Sequence, residues 1–370
     1  MVYVISVQLF LAGVKMKKTA TITFHWATNY GAVLQAYALQ QILIKSGFDT
    51  EIIDYVPLRI KAIQFTVSAK NRNFGELKKS RNIGKFRKRE LKLSKKRYFN
   101  NKSLFKCADA YSAVICGSDQ IWNPGFTLGA EGKPTLSYFL NFLNSNTKRI
   151  GYAVSFGTEK LPDEMKTKVY PEIEIFSAIG VREQSGKEIL SDIYKNAEVV
   201  LDPTLLLEED AYEELLHGKA FNKQKVFCYI LHNNQRIAEN VCEYVKKHYN
   251  ESYSPKTAKP DFGIYEWLYN IKNSEIVVTN SFHGVVFSVI FHKRFIAVPV
   301  ENSGMNDRIF TLLNNLNLSN RILADNEDEK IKEIINDKID YAKVDKLLDE
   351  YRSKSKEFLL DALRNINNEN

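Results

Sequence analysis

Short apolar, β-branched runs alternate with longer apolar-periodic stretches along most of the chain, the rhythm of βα units. Thr19–Phe24 reads as a first strand, Ala32–Lys45 as a helix closing near Ser46-Gly47, and Thr50–Tyr55 as a second strand. Ala113–Cys116, Arg149–Phe156 and Ala178–Arg182 are further buried-strand runs, and Val199–Thr204 closes this half at Pro203. The rhythm resumes with Val226–Leu231, Gln235–Lys247 and Asp261–Asn273. Glu275–Thr279 is then followed by Asn280 and Ser281, a tight turn over Phe282-His283-Gly284 and an apolar helix over Val285–Phe291. Phe295–Val300, a helix over Asp307–Leu316 and a charged helical tail over Glu327–Asn365 complete the chain. Continuous apolar strands of this kind predict parallel sheets covered on both faces.

At 370 residues the chain is too long for one ordinary core. The pattern divides it into a first α/β domain over 16–205, a second over 206–325, and C-terminal helices over 326–370 that pack back across both. Val2–Val14 is apolar but too short to span a bilayer; it has neither a basic leader nor a cleavage site. Residues 1–15 are therefore expected to be a loose or non-native extension, the alternative being a short helix or edge strand.

Residues 57–106 break the rhythm. Between Lys70 and Lys106 stand fifteen Lys/Arg against only Glu76 and Glu90, a local balance of +13 in a chain whose net charge is +8. The protein is thus a mildly acidic body carrying one basic segment, dotted with Phe65, Phe74, Phe86, Tyr98, Phe99 and Phe105 and able to form helix over Glu76–Tyr98. A solvated insertion explains it; the functional alternative is peripheral contact with an anionic membrane or a diphosphate-linked lipid. No nucleic-acid fold signature accompanies the charge, so no nucleic-acid partner is expected.

Cys107, Cys116, Cys228 and Cys242 form no Cys-x-x-Cys pair and two lie in apolar runs, which reads as reduced core thiols in a cytoplasmic protein. The six histidines follow no metal-binding spacing, so no metal is expected. The first βα loop, His25-Trp26-Ala27-Thr28-Asn29-Tyr30-Gly31, lacks both GxGxxG and a P-loop lysine. It can still offer backbone N–H groups, which makes Asn29, Tyr30 and Gly31 acceptor-contact candidates; His25 is equally explained as a packed strand-end residue. In Gly117-Ser118-Asp119-Gln120-Ile121-Trp122-Asn123-Pro124, Ser118 allows close approach, Asp119 offers a carboxylate, and Trp122 a flat face on which a sugar can stack, or a packed turn. Arg182 suits bidentate pairing with a carboxylate or phosphate, or a structural salt bridge. His283 stands where a strand gives way to a helix, the place at which open parallel sheets take ligands and helix N-termini favour anions.

Asn29–Gln40 (NYGAVLQAYALQ), Gly117–Pro124 (GSDQIWNP), the SFG at Ser155, Val181–Gly186 (VREQSG), Leu201–Thr204 (LDPT), Thr279–Gly284 (TNSFHG) and Asn306–Ile309 (NDRI) together resemble the polysaccharide pyruvyl transferase family, over roughly Thr21–Arg321. The resemblance implies two Rossmann-like domains facing a cleft, in the manner of glycosyltransferase-B proteins. It also implies transfer of the pyruvyl group of phosphoenolpyruvate onto two hydroxyls of a sugar in a cell-surface polysaccharide or its lipid-linked precursor. Arg182 and His283 match the family's donor-site arginine and histidine; Arg308, Ser281 and Gly284 join them as donor-site candidates. His283 is the expected acid/base and Asp119 the residue orienting or deprotonating an acceptor hydroxyl. No cofactor is implied beyond phosphoenolpyruvate as donor. Some members carry a lysine downstream of the histidine; here Phe295–Asp307 has none, and past Arg294 the local charge comes from Arg308. The alternatives are a nucleotide-sugar glycosyltransferase of the same two-domain type and a non-catalytic binder of glycan precursors.

Overall fold

A computed structural model describes residues 18–58, 74–127, 135–231, 236–254, 261–301, 303–324 and 327–364. The expectation for residues 1–15 lies outside them.

Seven parallel strands form the larger sheet: Thr19–Ile22 (β1), Thr50–Tyr55 (β2), Leu93–Tyr98 (β3), Ala113–Cys116 (β4), Lys148–Val154 (β5), Ala178–Val181 (β6) and Glu198–Val199 (β7), in the order β3-β2-β1-β4-β5-β6-β7. Every residue of β1, β2 and β4 is buried, as strands covered on both faces must be. Tyr30–Lys45 (α1) follows β1. Apolar around almost its whole circumference, it sinks into the interior, with Tyr30, Val33, Leu34, Ala36 and Leu39 fully enclosed. A second sheet of three parallel strands, Val226–Tyr229 (β8), Ile276–Thr279 (β9) and Arg294–Ala297 (β10), has order β10-β9-β8. It has its own core of Val226, Cys228, Val241, Val278, Ile296 and Ile335.

The chain divides into two compact units. One comprises Met1–Arg72, Arg87–Leu206 and Arg352–Asn370; the other comprises Asn73–Phe86 and Leu207–Tyr351. The α/β class follows the sequence rhythm. The basic stretch does not: it is no single solvated helix within the first domain. Phe74–Glu90 (α2) begins in the second unit and ends in the first, and Leu93–Tyr98 turns into the edge strand β3. Lys95, Lys96 and Arg97 point outward there while Ser94 and Tyr98 are buried, a charged edge of the sort that discourages further strand pairing. The last helix, Tyr341–Arg364 (α3), likewise contributes its first part to the second unit and the rest to the first. Its Ser355 Oγ accepts from Leu201 N at 3.0 Å, and Arg352 Nε donates to Leu205 O at 2.9 Å. All four cysteines are free and buried. Among the described residues no helix is long and apolar enough to cross a membrane.

Candidate functional site

In the first unit the candidate residues gather where β4, β5, β6 and β7 end. Arg182, directly after β6, is almost completely buried, and its Nη1 donates to Asp202 Oδ2 at 2.8 Å. Ser118 Oγ donates to the same oxygen at 2.7 Å, and Thr204 donates to Asp202 Oδ1 through N at 3.0 Å and Oγ1 at 2.6 Å. Asp202 is thus saturated by a cation and three neutral donors. Asp119 Oδ1 lies 3.7 Å from Arg182 Nη2 and also accepts from Gln120 N at 2.8 Å. Burial acts to lower the Arg182 pKa, but the charges of Asp202, Asp119 and Glu183 outweigh it and raise the pKa. Of the two readings of Arg182, the salt bridge is present, made with Asp202.

Asp119 has φ 91°, unusual for a residue with a side chain. It is held by a bridge to Val154 and by Ser155 N donating to its carbonyl at 3.1 Å. Ser155, fully buried, has an Oγ with no hydrogen-bond partner among the described residues. A serine at a strand exit carries no mark in sequence that distinguishes it from any other small residue.

Trp122 is a correction. Its ring is fully buried, stacked on Phe139 at 5.3 Å and packed by Phe156 and Phe176, with Nε1 donating to Tyr138 O at 3.0 Å. It has no open face for a sugar. Tyr30 and Gly31 are corrected likewise: both are buried in the first turn of α1, and Asn29, half-buried, is its N-cap, accepting from Ala32 N at 3.2 Å. An open aromatic surface stands nearby instead. Trp26 is half-exposed, its Nε1 pinned to Tyr138 Oη at 3.2 Å, and it packs on Phe24 at 5.5 Å; Phe126, 60% exposed, meets Phe24 at 6.2 Å.

In the second unit, helix Phe282–Ile290 (α4) starts earlier than its sequence suggests. Ser281 caps it, accepting from Gly284 N at 3.3 Å, so Phe282-His283-Gly284 is its first turn and not a loop. Gly284 serves packing. A Cβ there would stand 2.4 Å from Thr279 Oγ1, an atom that already donates to Tyr229 O and accepts from Ser281 N. Its N–H is occupied by the cap. His283 is 7% exposed, and its ring meets Phe282 edge-on at 5.2 Å. Arg308 lies over the other partner of that ring, its guanidinium carbon 5.6 Å from the Phe282 centroid, with Nε donating to Met305 O at 3.1 Å. Phe282 therefore holds the histidine and the arginine around one ring. Asn280 is buried beside them; its Oδ1 accepts from Leu231 N at 2.8 Å and its Nδ2 has no partner among the described residues. Among the described residues no group of three or more His, Cys, Asp or Glu is gathered for a metal ion.

The sequence matches the profile of polysaccharide pyruvyl transferases over residues 29–302. Among curated proteins none matches it significantly. The structure is similar to UDP-N-acetylglucosamine 2-epimerase from Rickettsia bellii at 10% identity and TM-score 0.52, covering 95% of this chain and 98% of that one. It is also similar to UDP-GlcNAc 2-epimerase from Neisseria meningitidis, solved with UDP-GlcNAc, at 10% identity and TM-score 0.49, over 94% of this chain and 99% of that one. The first likeness extends over nearly the whole of both chains and shows a glycosyltransferase-B-like α/β fold.

Proposed function

The chain belongs to the polysaccharide pyruvyl transferase family, and on that premise we propose that it transfers the pyruvyl group of phosphoenolpyruvate to a sugar of a surface polysaccharide or its lipid-linked precursor, forming a ketal. The observation that carries this reading is the His283–Phe282–Arg308 cluster at the N-terminus of α4. Phosphoenolpyruvate brings a carboxylate and a phosphate, and a half-buried arginine beside a helix N-terminus supplies fixed positive charge for one of them. A proton delivered by His283 to the methylene carbon turns it into a methyl group and makes C2 electrophilic. One sugar hydroxyl adds to C2 and loses its proton. A second hydroxyl then loses its proton and takes the place of the phosphate, which leaves with the C2–O bond electrons. Two C–O bonds to sugar form, one C–O bond to phosphate breaks, and the pyruvyl carbon ends as a ketal.

In the first unit, Asp119 is the carboxylate proposed to orient an acceptor hydroxyl, held by strained backbone and by the anchored Arg182. The buried pairing with Asp202 supports a positioning role for Arg182. For the stacking face we substitute Trp26, half-exposed and flanked by Phe126, for the enclosed Trp122. The test is incubation with phosphoenolpyruvate and lipid-linked oligosaccharide extracts, read by mass spectrometry. A pyruvate ketal on the saccharide with phosphate released supports the reading. Consumption of a nucleotide sugar with phosphoenolpyruvate untouched refutes it.

A further inference from the structure

Strands β8, β9 and β10 end side by side, with Tyr229, Thr279 and Ala297 in register. One asparagine fixes the last of these exits. Val298, just past β10, donates its N–H to Thr279 O at 2.9 Å, so the chain leaving β10 starts beside the cap of α4. Two residues on, Val300 meets the side chain of Asn306 twice. Val300 N donates to Oδ1 at 2.9 Å, and Nδ2 donates to Val300 O at 2.7 Å. Both residues are buried. Exchanging the two amide atoms would set donor against donor and acceptor against acceptor, so the orientation of the amide is settled. An amide that satisfies the N–H and the C=O of one buried residue stands in for a strand partner. Here it ties the chain at Val300 to the chain at Asn306.

What the tie presents is the carbonyl of Met305. Met305 N donates to Ser303 Oγ at 3.3 Å and Asn306 N to Ser303 O at 3.3 Å, within a tight turn over Gly304–Asn306. Met305 O accepts from Arg308 Nε at 3.1 Å, which sets the plane of the guanidinium, and the guanidinium carbon stands 5.6 Å from the Phe282 centroid. Phe282 in turn meets the His283 ring at 5.2 Å. A continuous line of contacts therefore runs from the amide of Asn306 to the arginine and the histidine of the site. A free arginine gives up rotamer freedom when it takes an anion; one already held through Nε has less to lose.

We infer that Asn306 is a positioning residue for the donor oxyanion. It fastens the turn whose Met305 carbonyl holds Arg308 over Phe282, and so presets the arginine before substrate arrives. Asn306 itself touches no substrate, because both ends of its amide are taken by Val300. The inference rests on the reading above in one respect, that Arg308 meets an oxyanion of phosphoenolpyruvate. The placing of Arg308 by Asn306 stands apart from that identity.

The test is a double-mutant cycle, read by isothermal titration of the full chain with phosphoenolpyruvate. Asn306→Ala removes both bonds to Val300 and is expected to weaken phosphoenolpyruvate by roughly tenfold. Arg308→Gln should weaken it further. Because Asn306 acts through Arg308, the double variant should bind within about twofold of Arg308→Gln alone. A merely structural Asn306 would make the double variant weaker than Arg308→Gln by the full factor seen for Asn306→Ala, and that result overturns the inference. Unchanged affinity in Asn306→Ala overturns it too. A second measurement needs no ligand. Exchange of the Arg308 Nε–H is followed by NMR, the signal being assigned by its loss in Arg308→Gln. Bonded to Met305 O, this proton should exchange slowly in the wild type and faster in Asn306→Ala; equal exchange in the two overturns the inference whatever the donor is. A wild type that binds no phosphoenolpyruvate, while Asn306→Ala still frees the Nε–H, would sink the proposed donor and leave the positioning role standing.

Discussion

Replacing Arg182 by Gln separates a structural from a purely substrate-binding arginine. Its side chain is 1% exposed and that of Asp202 is 0% exposed, so the pair is fully withdrawn from water. Removing one partner of such a pair strands the other charge and costs about 3–5 kcal/mol. Here the lower end applies, because Ser118 and Thr204 still donate three hydrogen bonds to Asp202. At about 2–4 °C per kcal/mol for a unit of this size, ~3 kcal/mol lowers the melting temperature by roughly 6–12 °C. Arg182→Lys, which keeps charge but not the planar fork, should fall between the two. The assay is thermal unfolding followed by circular dichroism at neutral pH, with no ligand present. An Arg182→Gln variant that melts with the wild type refutes the anchoring role and returns Arg182 to direct contact with the donor.

Three further outcomes follow from the geometry. Trp122 and Trp267 are fully buried, so acrylamide should quench Trp26 fluorescence selectively; an acceptor saccharide should protect it, and Trp26→Ala should raise the acceptor KM about tenfold. Protection absent at saturating acceptor would remove Trp26 from the site. The Asp54 carboxyl, held low by His25 and Arg97 with Arg87 nearby, contributes stability that is complete above the ordinary carboxylate pKa of about 4 and is lost as pH falls through its depressed value. Melts between pH 5 and 2 should therefore fall more steeply for wild type than for Asp54→Asn, and parallel curves would contradict the linkage. The exposed basic residues of α2 and β3 should bind anionic but not neutral vesicles, each adding on the order of 1 kcal/mol and screened by salt. Equal partition onto both vesicle types, or none, leaves them as solubilising charge.

The βα rhythm was legible because parallel strands such as β1 and β4 are apolar on both faces and leave a continuous run. Strand β3 was not, because Lys95-Lys96-Arg97 on an exposed edge look like a helix face until the pairing with β2 is known. The start of α4 was hidden by Gly284, which reads as a turn residue and is in fact a close-packing one. Trp122 shows the limit for site residues: its neighbours Phe139, Phe156 and Phe176 are distant in sequence, and only the fold decides whether an indole face is open. The same non-locality concealed the contact of His25 with Asp54, 29 residues away.

The central claim is most directly tested by following phosphate release and ketal formation together, with phosphoenolpyruvate and a lipid-linked saccharide, in wild type and His283→Ala. The account predicts one phosphate per ketal in the wild type. It predicts a fall of about 10²–10⁴-fold in both for His283→Ala, unrescued by His283→Gln, with the melting temperature retained. Ketal formation at the wild-type rate in His283→Ala, or phosphate release with no ketal on the sugar, would contradict it.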